Sequence, residues 1–134
     1  MHYIELIALF AVSQYLLFGA MTGNARRKSD LAAPAISGSV EFEKMYRVQM
    51  NTLEMLVAFL PALFVAGQHQ NPVWMAAIGC VYLVGRFIYW RAYISNPSSR
   101  TLGFMLTLIP IVVLAALAIF SVVNALLTEF NIQF

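Results

Sequence analysis

Glu43-Lys44-Met45-Tyr46-Arg47-Val48-Gln49-Met50-Asn51-Thr52-Leu53-Glu54 runs without a break into Met55-Leu56-Val57-Ala58-Phe59-Leu60-Pro61-Ala62-Leu63-Phe64-Val65-Ala66. The second half is apolar enough to lie in lipid, and the first half carries charge into it. An Arg or Asp at the centre of a membrane helix costs roughly 2.5–3.5 kcal/mol on insertion scales, less towards the ends, so such groups are usually buried against partners and functional. At 100° per residue, Arg47, Asn51 and Glu54 stay within about 40° of one line on a helix. One face therefore presents a cation, an amide and a carboxylate. Two uses are open: an Arg–Glu pair that locks helix packing, or a ligand site.

The composition supports the membrane reading. Of 134 residues, 61% are apolar and 10% charged, against roughly 25% charged in soluble domains. Residues 4–23, 47–66, 73–94 and 102–127 are each long enough to span, since about 20 residues at 1.5 Å each cover a hydrocarbon core of about 30 Å. The expected fold class is all-α, a single four-helix transmembrane domain over residues 1–134. The first span is too long for a signal-peptide core, lacks a basic flank and contains Glu5 and Gln14, so it is read as a retained helix.

Net charge is +2, and its placement is more telling than its size. Arg26, Arg27, Lys28, Lys44 and Arg47 flank the first connection, Arg91 and Arg100 flank the third, and residues 68–72 carry no Lys or Arg. The positive-inside rule then places both termini outside and connections one and three in the cytosol. The single cysteine, Cys80, excludes an intrachain disulfide, and mid-helix it is expected to pack as a small apolar residue. His2 and His69 have no partner at ligand spacing, so no metal site is visible. Basic and aromatic residues are not interleaved in the nucleic-acid manner, and no phosphate loop or nucleophile elbow occurs.

The one long connection, 24–42, contains Ala33-Pro34-Ala35-Ile36-Ser37-Gly38-Ser39 and is expected to be a cytosolic loop. Gly67 and Asn71-Pro72 bound a tight hairpin, which makes helices two and three antiparallel neighbours. Asn96-Pro97-Ser98-Ser99 breaks helix three just before Arg100. Pro61 and Pro110 fall inside spans, where kinks are expected.

Helix three carries its own polar stripe: Tyr82, Arg86, Tyr89 and Tyr93 at spacings of four, three and four, with Arg100 seven residues on. Tyrosines at this depth also form interfacial belts. Arg86 lies deep, at the level of Glu54, and either neutralises that carboxylate or belongs to the stripe's site. Basic groups favour an anion, whereas Glu54 asks for a cation, so a ligand with carboxylates and an ammonium fits. Gln49 lies about 200° around the helix from Arg47. If Gln49 also binds the ligand, the pocket lies between subunits.

The segment 41–67, with Glu43-x-x-Tyr46-Arg47-x-Gln49-x-Asn51-x-x-Glu54 followed by Phe59-Leu-Pro-Ala-Leu-Phe-Val-Ala-Gly67, closely resembles the signature of the membrane-associated proteins in eicosanoid and glutathione metabolism. Arg26-Arg27, the run from Gly79 through Tyr82, Arg86, Tyr89 and Tyr93, and Arg100 also fall at the spacing of its glutathione-dependent members. The resemblance covers nearly the whole chain. It implies a four-helix subunit in a homotrimer, with glutathione as co-substrate held between subunits near the cytosolic face. Arg47, Asn51, Glu54, Tyr89 and Tyr93 would come from one subunit, and Arg26 and Gln49 from its neighbour. Arg100 would activate the thiol, and Arg27 would help with the second substrate, a lipophilic electrophile from the bilayer lipid. Met55 stands where leukotriene-forming members have a tyrosine, which weakens a leukotriene reading.

The implied activity is a glutathione transferase, with lipid-hydroperoxide reduction as a further use of the same thiolate. The alternative is a non-catalytic fatty-acid-binding scaffold of the same family, against which the complete polar set argues. A transporter subunit would need a continuous polar path that helices one and four lack. The short chain, without an endoplasmic-reticulum retrieval tail, leans towards a bacterial inner membrane, with the endoplasmic reticulum as the other setting.

Overall fold

In the computed structural model, which describes residues 1–132, the chain forms four long helices: α1 His2–Lys28, α2 Val40–His69, α3 Pro72–Ser95 and α4 Thr101–Ile132. A 3-10 turn, Pro97–Ser99, joins α3 to α4. All four helices are long and apolar enough to cross a membrane. Each winds beyond its apolar stretch, because the flanking polar residues supply good helix ends. Arg26, Arg27 and Lys28 close α1 at its negative pole, and Glu41 and Glu43 open α2 at its positive pole. The first connection thereby shrinks to residues 29–39.

Capping explains where the helices begin. The Ser39 hydroxyl accepts from the Phe42 amide at 3.3 Å, and the Asn71 side chain accepts from the Val73 amide at 2.9 Å with Pro72 in the first turn. Asn96 does the same for the turn before α4, accepting from the Ser98 amide at 3.2 Å. α2 and α4 continue as helix through Pro61 and Pro110.

α2 and α3 are the central pair, each packing against the other and against both α1 and α4. One core cluster joins Ile4, Ile7 and Ala11 of α1 to Phe59 and Leu63 of α2, Tyr82 of α3 and Leu114 of α4. Phe59 and Tyr82 stack with ring centroids 3.8 Å apart. A second cluster, at the charged end, holds Phe18, Phe42, Met45, Val48 and Tyr89.

Small residues set how close the helices come, as is usual where lipid offers no hydrophobic drive for association. A Cβ at Gly85 would stand 2.7 Å from the Leu106 carbonyl carbon, and one at Gly103 would fall on the Tyr89 backbone. α3 and α4 are therefore in near backbone contact just below Arg100. Cys80 departs from expectation: it is exposed on the outer surface of α3 and not packed in the core. At the far end of α4, residues 122–130 are all exposed.

Candidate functional site

At the charged end of the bundle, α2, α3 and the start of α4 enclose a cavity of about 440 Å³. Its walls are Arg47 and Asn51 of α2, Tyr89 and Tyr93 of α3, and Arg100, Thr101 and Phe104 around the α4 start. Helical spacing places them there: 47 and 51 are one turn apart, as are 89 and 93, so each helix offers two rungs to the same space. The Tyr89 and Tyr93 rings lie 5.5 Å apart. Arg100 is brought over the cavity by the 3-10 turn, where its Nη1 donates to the Pro97 carbonyl at 2.9 Å. The close approach at Gly103 keeps this α4 end against Tyr89.

The lining contains two guanidiniums, an amide and two phenols, and no carboxylate. Such a surface favours anions, and Arg forks suit carboxylate geometry. Glu54 lies beside the cavity, exposed, with the Asn51 amide nitrogen donating to its Oε2 at 3.4 Å. An ammonium next to a bound carboxylate would find its partner there.

Arg86 resolves differently from the pairing with Glu54 that depth alone suggested. It is fully buried, its Nη1 donating to Asn51 Oδ1 at 3.0 Å and its Nη2 to Thr52 Oγ1 at 2.9 Å. Its guanidinium carbon lies 4.3 Å from the Tyr89 ring centre. Among the described residues the one ion pair is His2 with Glu5, so neither Arg47 nor Arg86 forms a packing ion pair with Glu54.

Of the nine residues singled out, the structure brings Arg47, Asn51, Tyr89, Tyr93 and Arg100 around one cavity, with Glu54 at its edge. Arg26, Arg27 and Gln49 are not among its walls. Arg26 turns to its own connection, its Nη1 donating to the Ala35 carbonyl at 2.7 Å while its guanidinium covers the Phe42 ring at 4.4 Å. Arg27 is exposed. Gln49 faces α1, where its amide nitrogen would stand 3.3 Å from a Cβ at Gly19.

Thr101, Phe104 and Thr52 escaped the sequence reading. Thr101 and Phe104 follow Arg100 by one and four residues, so helical spacing from Arg100 would have found Phe104. The Thr52 hydroxyl donates to the Val48 carbonyl one turn back at 2.7 Å, and Thr52 reads in sequence as an ordinary helix residue.

Residues 4–120 match the MAPEG family. Microsomal glutathione S-transferase 2 from Mus musculus is 34% identical over 92% of this chain and 84% of its own length, and the Homo sapiens protein of the same name is 32% identical over the same shares. Leukotriene C4 synthase from Bos taurus is 33% identical over 70% of this chain and 63% of its own length. With four membrane-crossing helices and a family match over most of its length, this chain is an integral, multi-pass membrane protein and belongs to the MAPEG family.

Proposed function

We propose that the protein is a membrane glutathione transferase which joins the glutathione thiolate to lipophilic electrophiles. The convergence of Arg47, Asn51, Tyr89, Tyr93 and Arg100 on one carboxylate-free cavity carries this reading, and the names of the relatives support it. Arg47 takes a glutathione carboxylate, Glu54 the α-ammonium, and Asn51 and the two tyrosines the intervening polar atoms. In a homotrimer, Arg26 and Gln49 of a neighbouring subunit would complete the cavity. Arg100 faces the sulfur.

A free thiol has a pKa near 8.5, so only a few per cent is thiolate at pH 7. Lowering it by about two units requires roughly 2.7 kcal/mol. A single charge-assisted hydrogen bond supplies roughly 1.5–3 kcal/mol, so one arginine nearly suffices. The thiolate sulfur attacks the electrophilic carbon, a carbon–sulfur bond forms, and the leaving group departs with its electron pair; Arg27 would stabilise the charge that develops there. With a lipid hydroperoxide the sulfur attacks the terminal oxygen, the oxygen–oxygen bond breaks to give the sulfenic acid, and the departing alkoxide takes a proton from water to become the alcohol. A second glutathione then converts the sulfenic acid to disulfide and water. The charged end would face the cytosol, on the side that the basic connections mark.

Detergent-purified protein is expected to turn over a generic electrophile with glutathione. Arg47→Ala and Glu54→Gln should each weaken glutathione binding by roughly tenfold or more, the loss of one charge-assisted bond, while the assembly persists. Disassembly of both variants with unchanged binding in the surviving fraction would return these residues to a packing role. Native mass spectrometry should find three chains, and a cysteine placed at Ser37 should resist impermeant reagents added from outside. A monomer that binds glutathione at full affinity, or labelling at Ser37 from outside, overturns that arrangement.

A further inference from the structure

Arg86 touches no part of the cavity's open surface, yet it holds two of its walls. A guanidinium has only donors to offer. The atom of Asn51 that faces it at 3.0 Å must be the carbonyl oxygen, and the amide nitrogen must turn the other way. That nitrogen spends one hydrogen on Glu54 and has a second to give. Thr52 fixes the other end of the guanidinium, and the Tyr89 ring lies flat enough against it for a centroid distance of 4.3 Å.

The charge on Arg86 is also unanswered. It is 0% exposed, and among the described residues no carboxylate lies within ion-pair distance of it and its Nε has no hydrogen-bond partner. Removing an isolated charge from water is costly unless an opposite charge comes near. An anion entering the adjacent cavity supplies one.

We propose that Arg86 is a positioning residue for the ligand: through Asn51 and Tyr89 it orients the cavity wall as a donor surface, selecting a carbonyl or carboxylate oxygen at that point. This rests on the glutathione reading above. It assigns Arg86 no contact with the reacting sulfur, so its effect belongs in binding and not in thiol ionisation.

The test is calorimetric binding of glutathione combined with saturating turnover, on the assembled protein. Arg86→Met, similar in length but without donors or charge, should weaken binding by roughly tenfold or more, with the thiolate absorbance of the saturated enzyme retained. Because Arg86 acts in part through Asn51, the double variant Arg86→Met with Asn51→Ala should lose less affinity than the two single losses added together. Arg86→Lys should recover part of the affinity, since one donor and the charge remain. An Arg86→Met protein with wild-type affinity and only a lower melting temperature overturns the proposal, as does full additivity with Asn51→Ala. Should Arg86→Met not fold, Thr52→Val decides: it frees one end of the guanidinium away from the cavity, and unchanged binding there overturns the proposal equally. A wild-type protein that binds no glutathione defeats the functional reading and this inference together; wild-type binding with an indifferent Arg86 defeats this inference alone.

Discussion

Arg100→Ala is expected to bind glutathione and fail to ionise it. Arg100 is exposed at the cavity mouth, and among the described residues one guanidinium bond, to the Pro97 carbonyl, is taken up by the protein. Its remaining N–H groups are free for a sulfur anion. If it lowers the thiol pKa by about two units, its removal cuts the thiolate fraction at pH 7 roughly 25-fold. The ultraviolet thiolate signal of the bound complex should vanish, and conjugation at pH 7 should fall by about that factor. The sign of the pH dependence follows from the thiol alone: with the cation gone, ionisation waits for solution pH near 8.5, so the variant's rate should climb towards wild type as pH rises through that value. A variant with an intact thiolate signal and an intact rate would remove Arg100 from the chemistry.

Gly103→Ala should damage stability and site together. One methyl group there falls on the backbone of Tyr89, which cannot swing aside as a side-chain tip would. Alanine improves helix propensity over glycine by about 1 kcal/mol. Overpacking costs typically 1–3 kcal/mol and more where backbone must move, so the clash wins. α3 and α4 must separate at the level where Tyr89 and Arg100 face the same cavity, and glutathione affinity should fall with the melting temperature. Gly23→Ala is the control, because a Cβ there meets nothing within 4 Å. It should be neutral or mildly stabilising, and equal behaviour of the two variants would refute the close-approach account.

The four helices were legible because lipid demands long apolar runs, and such runs are hard to mistake. Arg47, Asn51, Tyr89 and Tyr93 were legible because charge and amide at helical spacing in an apolar segment stand out from their surroundings. Depth along a helix was readable, but rotation against a neighbour was not. Arg86 and Glu54 share a level, yet the guanidinium turns to Asn51 and Thr52. Cys80 shows the complementary blindness: residues 73–81 of α3 are apolar all round, so periodicity does not separate the lipid face from the core face there. Phe104 and Thr101 depend on how near α4 comes to α3, which a glycine permits but does not announce.

The length of α4 ties the protein to the thickness of its surroundings. The apolar stretch 102–127 measures about 39 Å at 1.5 Å per residue, against a hydrocarbon layer of about 30 Å. The outer residues of that stretch, 122–127, are exposed on the subunit. The surplus is met by tilting the helix or stretching the surrounding acyl chains, each costing fractions of a kcal/mol per Å. Acyl-chain length is thus a stability variable for this protein, much as salt or pH is for a soluble one.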